Sequence, residues 1–135
     1  MRPDAPVGTG GRLPSVLIVE DDIMLGLAIG LCVEEAGYAV AAVAPSVEAA
    51  LAALGRQTID AALLDINLHG ELVFPVANAL AERGVPFVFV TAQSPDTIPE
   101  THRGRPVVPK PYYDGALCAA LASVLPPPTA ATSSS

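Results

Sequence analysis

The chain has 135 residues, of which 51% are hydrophobic and 16% charged, and its formal net charge is −7. That length suits one compact domain, which buries roughly two-thirds of its unfolded surface, and leaves no room for a second. Direct nucleic-acid binding is disfavoured, because it needs clustered cations to meet phosphates and the chain holds seven Lys and Arg in all.

Residues 1–14 contain Pro, Gly, Arg and Asp without an apolar core segment, so they read as a disordered extension rather than a secretory signal, and the cytoplasm is the default compartment. The run Val16-Leu-Ile-Val19 then stops at Glu20-Asp21-Asp22, as a strand buried on both faces does. Asp22 is placed to cap a helix over 23–36, which Gly37 ends. The apolar stretch Ile23 to Val33 is too short for a membrane span, so no membrane insertion is expected. With Met24, Ala28, Cys32 and Val33 set against a sheet, Gly26, Leu27, Gly30 and Leu31 fall on the outer side of this helix. That side is bare of polar groups and reads either as a moderately apolar surface or as a face that a partner helix approaches.

A second strand is expected over 38–43, followed by a helix that Ser46 caps and that runs through Leu54 to a stop at Gly55. A third strand over 61–64 ends at Asp65. The next helix covers 73–83, with Pro75 in its first turn and Gly84 past its end. A fourth strand over 87–90 ends at Thr91. Pro95 and Pro99 leave only a short or irregular fourth helix between 91 and 106, the segment expected to be most mobile. A brief strand at Val107-Val108 precedes Lys110, a last helix covers 114–124, and 126–135 is a disordered tail. Cys32 and Cys118 lack the spacing of a metal site and read as buried, inert thiols.

Strands alternating with helices make an α/β domain, a doubly wound parallel sheet with helices on both faces and a reactive crevice at the strand carboxyl ends. Reading those ends in order gives Glu20-Asp21-Asp22, Asp65, Thr91 and Lys110. Asp22 alone is as well explained as a helix cap; four convergent sites are not. Gathered carboxylates repel, and a hard divalent cation such as Mg²⁺ or Mn²⁺ relieves them. Asp65 is then a candidate nucleophile toward a phosphorylated donor, Lys110 a point charge for a phosphoryl oxygen, and Thr91 a hydrogen-bond donor to another. The main-chain carbonyl of Asn67 lies in reach of the same metal.

Val16-Leu-Ile-Val-Glu-Asp-Asp22, Leu63-Leu-Asp-Ile-Asn67, Phe89-Val-Thr-Ala92 and Lys110-Pro111 resemble the signature blocks of response-regulator receiver domains, in order and spacing, across 15–125. The resemblance implies a flavodoxin-like fold with five parallel strands in the order 2-1-3-4-5. It implies a protein that is not a free-standing enzyme but accepts phosphoryl on Asp65 from a histidine kinase or histidine phosphotransfer protein, and later releases it. Asp21 matches the direct metal ligand, Glu20 the acid acting partly through water, and Thr91 and Lys110 the switch residues. The first-helix face of Gly26, Leu27, Gly30 and Leu31 matches the surface on which receivers meet a kinase; an unknown downstream protein and a homodimer are further expected contacts. Pro86-Phe-Val-Phe-Val-Thr-Ala-Gln93 also resembles stand-alone alphaproteobacterial receivers that pair with HWE-type kinases, with Ala92 and Gln93 in place of Gly-Tyr. Val107 departs from the family, since many receivers carry an aromatic switch there; Tyr112 and Tyr113 follow the Lys and read as packing or surface residues.

Three other readings use the same residues. A flavin or nucleotide receptor lacks its Gly-rich phosphate loop here. An aspartate-dependent phosphatase would need an acidic residue where Asn67 stands. A degenerate receiver that is never phosphorylated conflicts with the presence of Asp21, Asp65, Thr91 and Lys110.

Overall fold

The computed structural model describes residues 13–92, 95–110, 112 and 114–125. Its elements in chain order are β1 (Ser15–Val19), α1 (Ile23–Glu35), β2 (Ala39–Ala44), α2 (Val47–Arg56), β3 (Ala61–Leu64), β4 (Asn67–Leu68), β5 (Glu71–Leu72), α3 (Phe74–Glu82), β6 (Phe87–Thr91), β7 (Val107–Pro109) and α4 (Asp114–Val124). Two short 3₁₀ turns, Pro95–Thr97 and Glu100–His102, lie between β6 and β7.

The aliphatic runs form the centre because their side chains leave water on both faces. In β1, Val16, Leu17, Ile18 and Val19 are all buried. Every pairing in the main sheet is parallel and the strand order is β2-β1-β3-β6-β7, which is 2-1-3-4-5 when only its own strands are counted. Side chains alternate along each strand, so neighbours in sequence enter different layers. Leu17, Val19, Ala62, Leu64, Phe87 and Phe89 pack with α2 and α3, while Val16, Ile18, Ala61, Leu63, Val88 and Val90 pack with residues of α1 and α4. The disorder expected of 1–14 and 126–135 falls outside the described residues except at Leu13 and Pro14; the Pro14 carbonyl accepts the N–H of Ala39 at 2.9 Å.

The caps follow the chemistry expected of them. Asp22 accepts the N–H of Leu25 at 3.1 Å, and Ser46 accepts that of Ala49 at 3.1 Å. Gly37 adopts φ 98° just beyond α1, and Gly84 φ 71° beyond α3, conformations that a Cβ disfavours.

Three expectations need correction. First, α2 does not stop at Gly55 but continues through it to Arg56, and the Gln57 N–H still bonds the Ala53 carbonyl at 3.0 Å. Glycine is permissive rather than terminating, and the Leu54 carbonyl has a partner in the Arg83 side chain at 2.7 Å. Second, α1 is rotated from the expected phase. Met24 and Ala28 face solvent, whereas Gly26 and Gly30 are buried, with space for a Cβ closed by Val43 at 2.8 Å over Gly26 and bounded by Val40 at 3.7 Å over Gly30. Third, a hairpin of β4 and β5 lies between β3 and α3, where no strand was expected. Its loop is His69-Gly70, with φ 55° and 86°, and both signs suit the primed turns that join two strands through two residues.

No helix among the described residues is long and apolar enough to cross a membrane.

Candidate functional site

Glu20, Asp65 and Lys110 are each set by a backbone hydrogen bond one residue past their strand. Glu20 N–H donates to Ala44 O at 2.9 Å, Asp65 N–H to Val19 O at 2.9 Å, and Lys110 N–H to Thr91 O at 2.9 Å. The ladder bonds that hold β1, β2, β3 and β6 together therefore also fix the site's side chains at the sheet edge. Glu20 and Asp65 are 2% and 8% exposed and Thr91 is 1% exposed, so all three are buried.

Lys110 joins the two buried acids: its Nζ donates to Glu20 Oε1 at 3.0 Å and to Asp65 Oδ2 at 3.1 Å. Glu20 Oε2 accepts the Asp22 N–H at 3.1 Å. Burial pushes the Glu20 carboxyl above its ordinary range, and the Lys110 hydrogen bond only partly offsets this. Burial pulls the Lys110 ammonium down, yet its hydrogen bonds to Glu20 and Asp65 outweigh that and leave its pKa raised.

Glu20, Asp21 and Asp65 each offer a carboxylate oxygen, and these atoms lie within 4.8 Å of one another. Three hard oxygens on rigid strand ends, with Asp21 still partly open to water, fit a divalent ion that keeps several waters. Asn67 begins β4, two residues past Asp65, and its side-chain oxygen accepts the Gly70 N–H at 2.7 Å. Thr91 ends β6 and pairs in register with Pro109, next to Lys110.

Asp22 turns away from this set to cap α1. His69 was not anticipated: its Nδ1 contacts Asp21 Oδ2 from the hairpin loop. A residue that pairs with Asp21 only because a two-residue turn aims it there leaves no local sequence signal beyond His-Gly itself.

The outer surface of α1 is apolar but not composed as expected. Ile23, Met24, Leu27 and Leu31 are exposed at 72%, 75%, 55% and 62%. Leu27 and Leu31 keep the outward position assigned to them; Gly26 and Gly30 do not. A shallow groove beside them is lined by Leu27, Gly30, Leu31, Glu34, Val40 and Val43. In the place of an aromatic switch, Val107 pairs with Phe89 and packs on the α2 and α3 side. Tyr112 is half-buried on the α1 and α4 side; Gln93 and Tyr113 lie outside the described residues.

Among curated proteins none matches the chain. Among solved structures, SdrG from Sphingomonas melonis Fr1 is 39% identical over 83% of this chain and 96% of its own, with a TM-score of 0.73. A BeF3-activated conformation of SdrG, from Pseudomonas melonis Fr1, is 38% identical over 84% of this chain and 98% of its own, with a TM-score of 0.72. The response regulator PhyR from Brucella abortus is 27% identical over 84% of this chain, which spans only 49% of PhyR, with a TM-score of 0.73. Residues 16–122 match the model of the response regulator receiver domain, and the chain belongs to that family.

Proposed function

We propose that the chain is a single-domain response regulator whose Asp65 accepts a phosphoryl group from a phosphohistidine of a histidine kinase or histidine phosphotransfer protein. The observation that carries this is the bridge of Lys110 to both Glu20 and Asp65, at 3.0 and 3.1 Å, inside a cluster of three carboxylates. A structural ion pair needs one acid. A lysine shared by two buried acids beside a third carboxylate is arranged to exchange partners as charge arrives.

In this reading Asp65 Oδ attacks phosphorus, the P–N bond to the donor imidazole breaks, and the imidazole takes a proton from solvent. Mg²⁺ or Mn²⁺, held by Glu20, Asp21, Asp65 and the Asn67 carbonyl, would screen the repulsion between the anionic nucleophile and the phosphoryl oxygens. Lys110 moves from the Asp65 carboxylate to a phosphoryl oxygen, and Thr91 donates its hydroxyl to another. Water later hydrolyses the acyl phosphate in the same pocket.

Output then passes by protein contact. The exposed apolar residues of α1 suit docking on the helices of a kinase, and a kinase of HWE type agrees with the resemblance of the 86–93 block. The BeF3-activated form of SdrG and the span over nearly all of SdrG's chain support a stand-alone receiver that responds to a phosphoryl mimic. A cytoplasmic location and contacts with a downstream protein or a second copy belong to the same reading.

Intact mass after acetyl phosphate with Mg²⁺ tests it. One added phosphoryl group is expected, absent from Asp65→Ala and absent with EDTA. An unchanged mass for the natural chain would leave the unphosphorylated, degenerate receiver as the better account.

A further inference from the structure

Cys32 and Cys118 stand 86 positions apart, yet their Sγ atoms are 3.5 Å from each other. The expectation of two buried thiols holds for Cys32 but not for Cys118, and the two meet where α1 and α4 pack together over one face of the sheet. Cys32 is 4% exposed, on the inner side of α1, and Cys118 is half-buried. A disulfide has an S–S length of about 2.0 Å, so the sulfurs need to close by about 1.5 Å, a distance that side-chain rotation with slight helix movement supplies.

We propose that Cys32 and Cys118 are a modification site: they form a reversible intramolecular disulfide, made by exchange with a low-molecular-weight disulfide, that ties α1 to α4. The exposure of the two sulfurs sets the order of events. Cys118, the accessible thiol, loses its proton and attacks one sulfur of the external disulfide. That S–S bond breaks and one thiolate leaves, taking a proton from solvent. Cys32, already beside the mixed disulfide, then gives up its proton and attacks the Cys118 sulfur. The second external thiolate leaves and is protonated. Two protein thiols are oxidised and one external disulfide is reduced to two thiols, so electrons and protons balance.

The consequence lies in chain connectivity. The bond closes a loop that contains β1's partners β2 and β3 as well as β6 and β7, and long closed loops restrict the unfolded chain most. It also restrains α1, whose outer face is the exposed apolar surface, relative to the helix that follows Lys110. The inference stands whether or not Asp65 accepts phosphoryl.

The full chain is incubated with oxidised glutathione and examined by intact mass, peptide mapping and a non-reducing gel. The expected product is a monomer lighter by two hydrogen atoms, with the Cys32 and Cys118 peptides joined and dithiothreitol restoring the starting mass. Cys32→Ser should stop at a glutathione adduct on Cys118, and Cys118→Ser should stay unmodified under native conditions. The oxidised chain should also melt at a higher temperature than the reduced chain. A natural chain that stops at the glutathione adduct, stays reduced, forms a disulfide-linked dimer or melts no higher when joined would overturn the proposal.

Discussion

Lys110 is bound to two carboxylates at once, so removing it acts on both. In Lys110→Met, Glu20 and Asp65 would lie beside Asp21 with no ammonium among them. The like charges then favour a divalent ion more strongly, since losing one competing positive charge at this range is worth about 1.4 kcal/mol, or about tenfold in affinity. Calorimetric titration with MgCl₂ should show tighter binding in the variant, and equal or weaker binding would contradict the shared role of the three acids. Acceptance of phosphoryl from acetyl phosphate should move in the opposite direction, falling by about a hundredfold, because the cation that meets the phosphoryl oxygens is gone. Residue-scale chemistry was legible here because the polar residues follow directly on apolar runs. His69 and the Cys32–Cys118 contact were not, since each depends on a partner far away in sequence: Asp21 lies across the site, and the two thiols are 86 residues apart.

Helix α1 shows why an element's existence is easier to read than its phase. Its residues are apolar nearly all round, Ile-Met-Leu-Gly-Leu-Ala-Ile-Gly-Leu-Cys-Val, so no polar stripe marks the outside. The glycines decide instead. A Cβ at Gly26 would come within 2.8 Å of Val43 Cγ1, whereas one at Gly55 in α2 meets nothing within 4 Å. Gly55→Ala should therefore stabilise the fold by about 0.8–1.0 kcal/mol through helix propensity alone. Gly26→Ala gains the same about 1 kcal/mol but overpacks β2 by about 1–3 kcal/mol, so its melting temperature should fall. Melting curves of the two variants check both signs. The hairpin of β4 and β5 escaped detection because each strand has two residues and the turn lacks an Asn-Gly pair. The segment between β6 and β7 makes a pH prediction of its own. His102 is 3% exposed, its Nε2 meets Asn78 Oδ1 at 2.7 Å, and its Nδ1 has no hydrogen-bond partner among the described residues. Burial, aided by the Arg105 charge, pushes its pKa below the ordinary 6.5. A depressed value means the neutral ring stabilises the fold fully above the ordinary pKa, and that contribution is lost as pH falls through the folded value. Protection factors across 95–105, corrected for the pH dependence of intrinsic amide exchange, should fall between about pH 7.5 and about pH 5, and His102→Gln should flatten the difference. A natural chain with the same protection factors at both values would refute the link.

Over the whole molecule, the strand order was readable because alternating strands and helices leave few topologies, and the apolar runs located all five strands of the main sheet to within about a residue or two. What the alternation does not specify is how a change at Asp65 reaches the surface. Many receivers turn an aromatic ring at the position that Val107 occupies, and Val107 is a short side chain held against Phe89 in the α2 and α3 layer. Under the proposed function, the path would run through Thr91 into the chain that follows it. There, regular helix gives way to two 3₁₀ turns, anchored by buried Ile98 and His102 and by Arg103 Nε donating to the Ile98 carbonyl at 3.2 Å. The segment carries no regular helix that would have to break, so a pull on Thr91 toward a phosphoryl group would be taken up by short turns rather than by a continuous ladder. Beryllofluoride with Mg²⁺, which mimics the phosphorylated state, should change amide exchange at 95–105 by about tenfold, corresponding to about 1.4 kcal/mol, relative to Mg²⁺ alone. The central strands β1 and β3 should keep their protection, because they carry the site without moving. Identical exchange at 95–105 in both conditions would place the output elsewhere, with the apolar face of α1 the next surface to examine.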